Sequence, residues 1–67
     1  MAENHTDNYL TQIRLAMNSL SLAYQVAQGG NKECLSHAST LVLQSMRASN
    51  RAIELLSEAG KDAPKDA

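Results

Sequence analysis

The sequence predicts an all-α fold, an antiparallel two-helix hairpin that assembles into a homo-oligomeric helical bundle. Three observations predict it. Apolar residues recur at three- and four-residue spacing over two long stretches. A Gly29-Gly30-Asn31 break separates the stretches. The apolar positions also spread around more of each helix than one partner helix could cover. The chain has 67 residues, so it holds one domain at most. Near this size a core stands alone only with difficulty, and disulfides, metals or oligomerisation usually support it. A single cysteine, Cys34, cannot make an internal disulfide, and no Cys/His cluster involving His5 or His37 has metal-ligand spacing. Oligomerisation remains as the expected source of stability.

Helix one is expected from about residue 8 to residue 28, after a flexible N-terminus of residues 1–7, with Thr6 or Asp7 as its N-cap. Leu10, Ile13, Met17, Leu20, Tyr24 and Ala27 follow the alternating spacing of a seam packed on another helix. Leu15, Leu22 and Val26 lie off that seam as a second apolar strip. Gly29 is expected in the left-handed C-cap conformation and Asn31 as the cap of the next helix, with Glu33 favourably placed near its N-terminus. So short a link makes the helices antiparallel neighbours.

Helix two is expected over residues 32–59, with Gly60 ending it and residues 61–67 forming a disordered polar tail. The hairpin domain thus spans residues 8–60. Its seam reads Leu35, Ala38, Val42, Ser45, Ser49, Ala52 and Leu56, with small residues in the middle that let backbones approach. Leu41, Leu43, Met46, Ile53 and Leu55 spread over other faces. With no Trp or Phe, and Tyr9 and Tyr24 as the only aromatics, the core must come from Leu, Ile, Val, Met and Ala.

The net charge of −1 conceals an uneven distribution. Between Asn8 and Ile53, Arg14, Lys32, Arg47 and Arg51 face Glu33 alone, while the acidic residues gather at the two ends. A basic body of this modest density suits a small anionic ligand better than a long nucleic acid, which needs a denser basic stripe. No apolar run approaches the ~20 residues that span a bilayer, and the polar first residues lack a signal-peptide pattern. The expected location is cytoplasmic, where a lone reduced cysteine is ordinary.

The ligand-binding candidates are Tyr9, Arg14, Lys32, Arg47, Asn50 and Arg51. Arg47 and Arg51 are four residues apart and share a helix face, with Asn50 beside Arg51. Arginine presents a planar fork of donors that matches phosphate oxygens, and asparagine both donates to and accepts from a base or ribose. The competing reading is a solvated stripe in which Arg51 pairs with Glu54 or Glu58. Tyr9, at the start of helix one, could stack on a base, whereas Tyr24 on the seam reads as core. Arg14 and Lys32 could add phosphate contacts or be plain surface charges. His37 has no acidic or nucleophilic partner one turn ahead, and Cys34 has no general base, so both read as structural. No Ser-His-Asp set, carboxylate pair, phosphate-binding loop or dinucleotide fingerprint is present. The expectation is a protein that is not an enzyme, needs no cofactor and binds no metal.

The segment from Ser36 to Ile53 resembles the second helix of a phage hairpin family, the sponges that counter cyclic-oligonucleotide (CBASS) and Thoeris immune signalling. That helix begins Ser-x-Ala-x-Thr and ends small-Asn-x-Ala-Ile, with a Met between. Ser36, Ala38, Thr40, Met46, Asn50, Ala52 and Ile53 match it, and Val42, Ser45 and Ser49 are conservative. Ala48 stands where an aromatic residue is frequent and Gln44 where the family has an acidic one. The match covers about a quarter of the chain strongly and most of it only by architecture. The resemblance implies a helical homo-oligomer, commonly a hexamer, that holds cyclic nucleotide or cyclic ADP-ribose-type messengers between protomers without cleaving them. Asn50 is the one candidate on a motif position. The length, the Gly-Gly turn and the Ala-Ile-x-x-Leu ending of helix two also resemble small type III secretion co-chaperones, which would make the hairpin a protein-interaction module. A third class, an RNA-binding four-helix bundle of the plasmid copy-control kind, would need a higher charge density.

Overall fold

A computed structural model of the chain describes residues 8–62 and contains two helices that pack against each other, α1 (Tyr9–Ala27) and α2 (Lys32–Asp62). The cap of α1 is Asn8, in extended geometry, whose side chain accepts a hydrogen bond from the Leu10 amide at 2.7 Å. This replaces the expected cap at Thr6 or Asp7, residues outside the described ones. Asparagine serves as well as either, because its Oδ1 reaches an amide that the first turn leaves unpaired.

The last turn of α1 tightens: the Gly29 amide donates to Val26 O at 3.0 Å and the Gly30 amide to Ala27 O at 3.1 Å. The chain then reverses at Gly30, whose φ of +77° lies in the left-handed region. The expected left-handed position was Gly29. Gly29 matters for a different reason, since a Cβ there would stand 2.7 Å from Cys34 Sγ, which would have to shift. The two glycines therefore do separate work, one reversing the backbone and one admitting a close neighbour. Asn31 caps α2 as expected, its Oδ1 accepting from the Cys34 amide at 2.8 Å, with Glu33 in the first turn.

Helix α2 runs through Gly60 to Asp62, beyond the expected end at residue 59. A glycine inside a helix costs only about 1 kcal/mol relative to alanine. Lys61 and Asp62 of the expected tail are thus helical, and residues 63–67, like the expected flexible N-terminus of residues 1–7, lie outside the described residues.

The seam between the helices is built from small side chains. Ala16 and Ala23 of α1 are buried, as are Ala38, Leu41, Ser45 and Ala52 of α2, and Ala23, Ala38 and Leu41 form one cluster with Val26 and Ala27 against it. The α1 seam follows Tyr9, Gln12, Ala16, Ser19, Ala23 and Val26, one residue back from the expected stripe at every step. On α2 the expected stripe divides: Ala38, Ser45 and Ala52 are buried, whereas Leu35, Val42, Ser49 and Leu56 are exposed. Alanine and serine at the contact allow two helices to approach more closely than leucine would, and this is what places the large residues outside. No large side chain among the described residues is fully buried.

Candidate functional site

Pairing of Ala23 with Ala38 sets the register of the hairpin. Nine residues back along α1 is Arg14, and nine forward along α2 is Arg47, so the two stand at one level on different helices. By the same count Tyr9 stands level with Ala52. Lys32 is the first residue of α2, at the turn end. Fifteen residues of helix separate it from Arg47, roughly 22 Å at 1.5 Å per residue. The six candidates therefore do not form one cluster within a protomer.

Arg47 and Asn50 do come together, as exposed neighbours one turn apart on the outer side of α2. Among the described residues Arg47, Arg14 and Lys32 form no ion pair. Arg51 is engaged, its Nη1 donating to Glu54 Oε1 at 2.8 Å, which is the local pairing weighed against ligand binding. Both partners are largely exposed, so the pair contributes little to stability. Tyr9 is half-buried at the start of α1, about half a turn (~3 Å) from Asn50 along the axis but on the seam side. Tyr24, expected in the core, is 70 % exposed. His37 is exposed and Cys34 half-buried. Among the described residues no group of three His, Cys, Asp or Glu is placed to hold a metal ion, and no helix is long and apolar enough to cross a membrane.

The dominant surface feature is apolar. A groove lined by Leu20, Ala23, Tyr24, Ala27, Ala38 and Val42 shows that the α1 stripe and Val42 open on the same side of the hairpin. From Val42, helical spacing carries the same side of α2 back to Leu35 and on through Met46, Ser49, Ile53 and Leu56. Leu10, Met17, Leu20 and Tyr24 of α1, with Leu35, Val42, Met46, Ile53 and Leu56 of α2, are each between 40 and 70 % exposed. At roughly 60–120 Å² of apolar surface for a fully exposed aliphatic side chain, and somewhat more for Tyr24, the nine together present on the order of 500 Å². The stripes forming this face contain no charged residue.

Charged and amide side chains stand at its edges. Arg14 lines a shallow groove with Leu10, Ile13, Met17 and Asn18 on the α1 side. Asn50 lies one turn from both Met46 and Ile53 on the α2 side. Leu15 and Leu22, the expected second strip, are exposed on the opposite flank of α1, while Val26 is half-buried. Sequence reasoning missed this face because it assigned the large residues to the seam. The signal that could have found it is the small-residue run Ala16, Ser19, Ala23, which parallels the large stripe one position away. No family model, curated protein or solved structure matches the chain significantly.

Proposed function

We propose that this protein is an oligomeric sponge, of the phage anti-CBASS and anti-Thoeris kind, that binds and sequesters a small cyclic nucleotide or cyclic ADP-ribose-type messenger without cleaving it. It would act in the cytoplasm, that of the bacterial host if it is phage-encoded, and depleting the messenger would silence the defence effector. The observation that carries the reading is the Arg47–Asn50 pair: an exposed guanidinium with no ion pair among the described residues, one turn from an amide. Asn50 also stands beside the apolar face on which a second protomer would sit. A guanidinium and an amide supply the charge-assisted and neutral hydrogen bonds that a phosphate and a ribose or base require. The cation surplus of the body and the resemblance of Ser36–Ile53 support the same reading. Because the six candidates are dispersed in one protomer, a complete site requires contributions from several copies.

Titration calorimetry of the full chain against cyclic di- and trinucleotides and cyclic ADP-ribose isomers tests the proposal. One of them is expected to bind at micromolar concentration or tighter and to be recovered intact. Arg47→Ala or Asn50→Ala should weaken binding about 10- to 100-fold, the scale of a lost charge-assisted hydrogen bond. No binding across the panel overturns it.

A second reading is favoured by the size of the apolar face, which carries none of Arg47, Asn50 and Arg51. It makes the hairpin a protein-interaction module, a type III secretion co-chaperone or an inhibitor of a host protein. A stable, defined homo-oligomer in solution counts against it.

A further inference from the structure

We infer that the uncharged face beside the seam is a self-association surface, on which a second copy of this chain packs to build the large-residue core that the hairpin lacks. The inference deepens the proposed function, resting on its oligomer but not on its ligand.

Area is the first argument. The face presents on the order of 500 Å² of apolar side-chain surface, a large share of the ~800 Å² that one partner contributes to a standard stable interface and as much as the largest patch on a typical, larger monomer. The second argument is the interior of the single hairpin. Among the described residues four of the five buried apolar ones are alanines, and the fifth is Leu41. Alanine carries little apolar surface, so even with Leu41 and the half-buried Val26 the seam gives a small core that a second copy would enlarge.

Charge identifies the occupant. In a two-fold interface a surface meets its own copy, so any charge near the axis meets a like charge. The stripes that form this face carry none to repel: Arg14 stands at the α1 edge, and Arg47 is on the outer side of α2. A second copy is also present wherever the chain is.

Two measurements on the full, unmodified chain decide the matter. Light scattering after size exclusion is expected to give a defined mass of at least twice the 7.2 kDa of one chain. Met17 and Met46, both more than half exposed in the single hairpin, report which face is covered. Under dilute peroxide both should oxidise at least about tenfold more slowly than methionine in an unstructured peptide. The variant Met46→Glu should lower the mass to that of one chain, with or without loss of helicity. A folded monomer at high micromolar concentration overturns the inference, as does an assembly in which Met17 and Met46 oxidise at the peptide's rate. An assembly with both methionines protected that binds no cyclic nucleotide would leave this inference standing and overturn the proposed ligand.

Discussion

The seam between the helices and the face beside it differ in one property, side-chain size, and that difference organises the molecule. On α1 the seam reads Ala16, Ser19 and Ala23, and the face, one residue ahead, reads Met17, Leu20 and Tyr24. On α2, Ala38, Ser45 and Ala52 are buried while Val42, Met46 and Ile53 are exposed. Burial in a single-chain core usually follows apolar size. Here the small residues are inside, because they bring two backbones together, and the large ones form a continuous outer surface. The hairpin is thus closely packed between its two helices and apolar on its outside.

The largest expected effect comes from truncating the face. Leu20→Ala should cost about 2–5 kcal/mol if the face is covered in the native assembly, as for other buried leucines. At an open surface it should cost no more than about 0.5 kcal/mol. Urea unfolding followed by circular dichroism separates the two. We expect the larger loss, together with a midpoint that rises with protein concentration. A loss within the surface range and a concentration-independent midpoint would break the contrast between seam and face.

Enlarging the seam gives the next effect. Ala23→Leu forces extra methylenes between the helices at their tightest cluster and should cost about 1–3 kcal/mol. The same leucine at exposed Ser21 should change stability by less than about 0.5 kcal/mol. In thermal melts, each kilocalorie corresponds to about 4–8 °C for a domain of this size. Equal melting temperatures for the two variants would mean that the seam has slack.

Much of the fold was legible in the sequence, and the part that was not has one cause. The two helices, their short turn and the Asn31 cap follow from apolar periodicity and the Gly29-Gly30-Asn31 break. Periodicity weights large residues, so it drew the α1 seam through Leu10, Met17 and Tyr24, which are exposed. Two parallel stripes one residue apart cannot be ranked by hydrophobicity when the less hydrophobic one is at the contact. At the helix end, Gly60 reads as a stop in the sequence, but one glycine is a weak breaker, and α2 continues to Asp62. Arg47, Asn50 and Arg51 were legible as neighbours because one helix sets their spacing. Their relation to Tyr9, Arg14 and Lys32 was not, since it depends on the hairpin register.

The turn offers a smaller test of the same closeness. Gly29→Ala places a Cβ against Cys34 Sγ and should cost about 1–2 kcal/mol by crowding a packed site. Combining it with Cys34→Ala removes the sulfur and should recover at least about 0.5 kcal/mol, the coupling expected of residues in contact. At Gly30 nothing lies within 4 Å of an added Cβ. Gly30→Ala should therefore cost about 1–2 kcal/mol from its left-handed backbone alone, with no rescue by Cys34→Ala. Rescue at both positions, or at neither, in a double-mutant cycle measured by urea unfolding would contradict the division of labour between the glycines.

The smallest effect is expected at Ser45, which joins the two regions. It is buried in the seam, yet its Oγ donates to the carbonyl of Val42, a residue of the exposed face, at 2.7 Å. That bond is made within α2, so the hydroxyl asks nothing of α1. Serine bonding back to its own helix contributes little to helix stability and slightly opposes it. Ser45→Ala keeps the seam small and leaves no buried group unpaired, so it should change the unfolding free energy by less than about 1 kcal/mol. If urea unfolding gave a clearly greater loss, the hydroxyl would have a partner across the seam, and the small-residue contact would be setting helix register as well as distance.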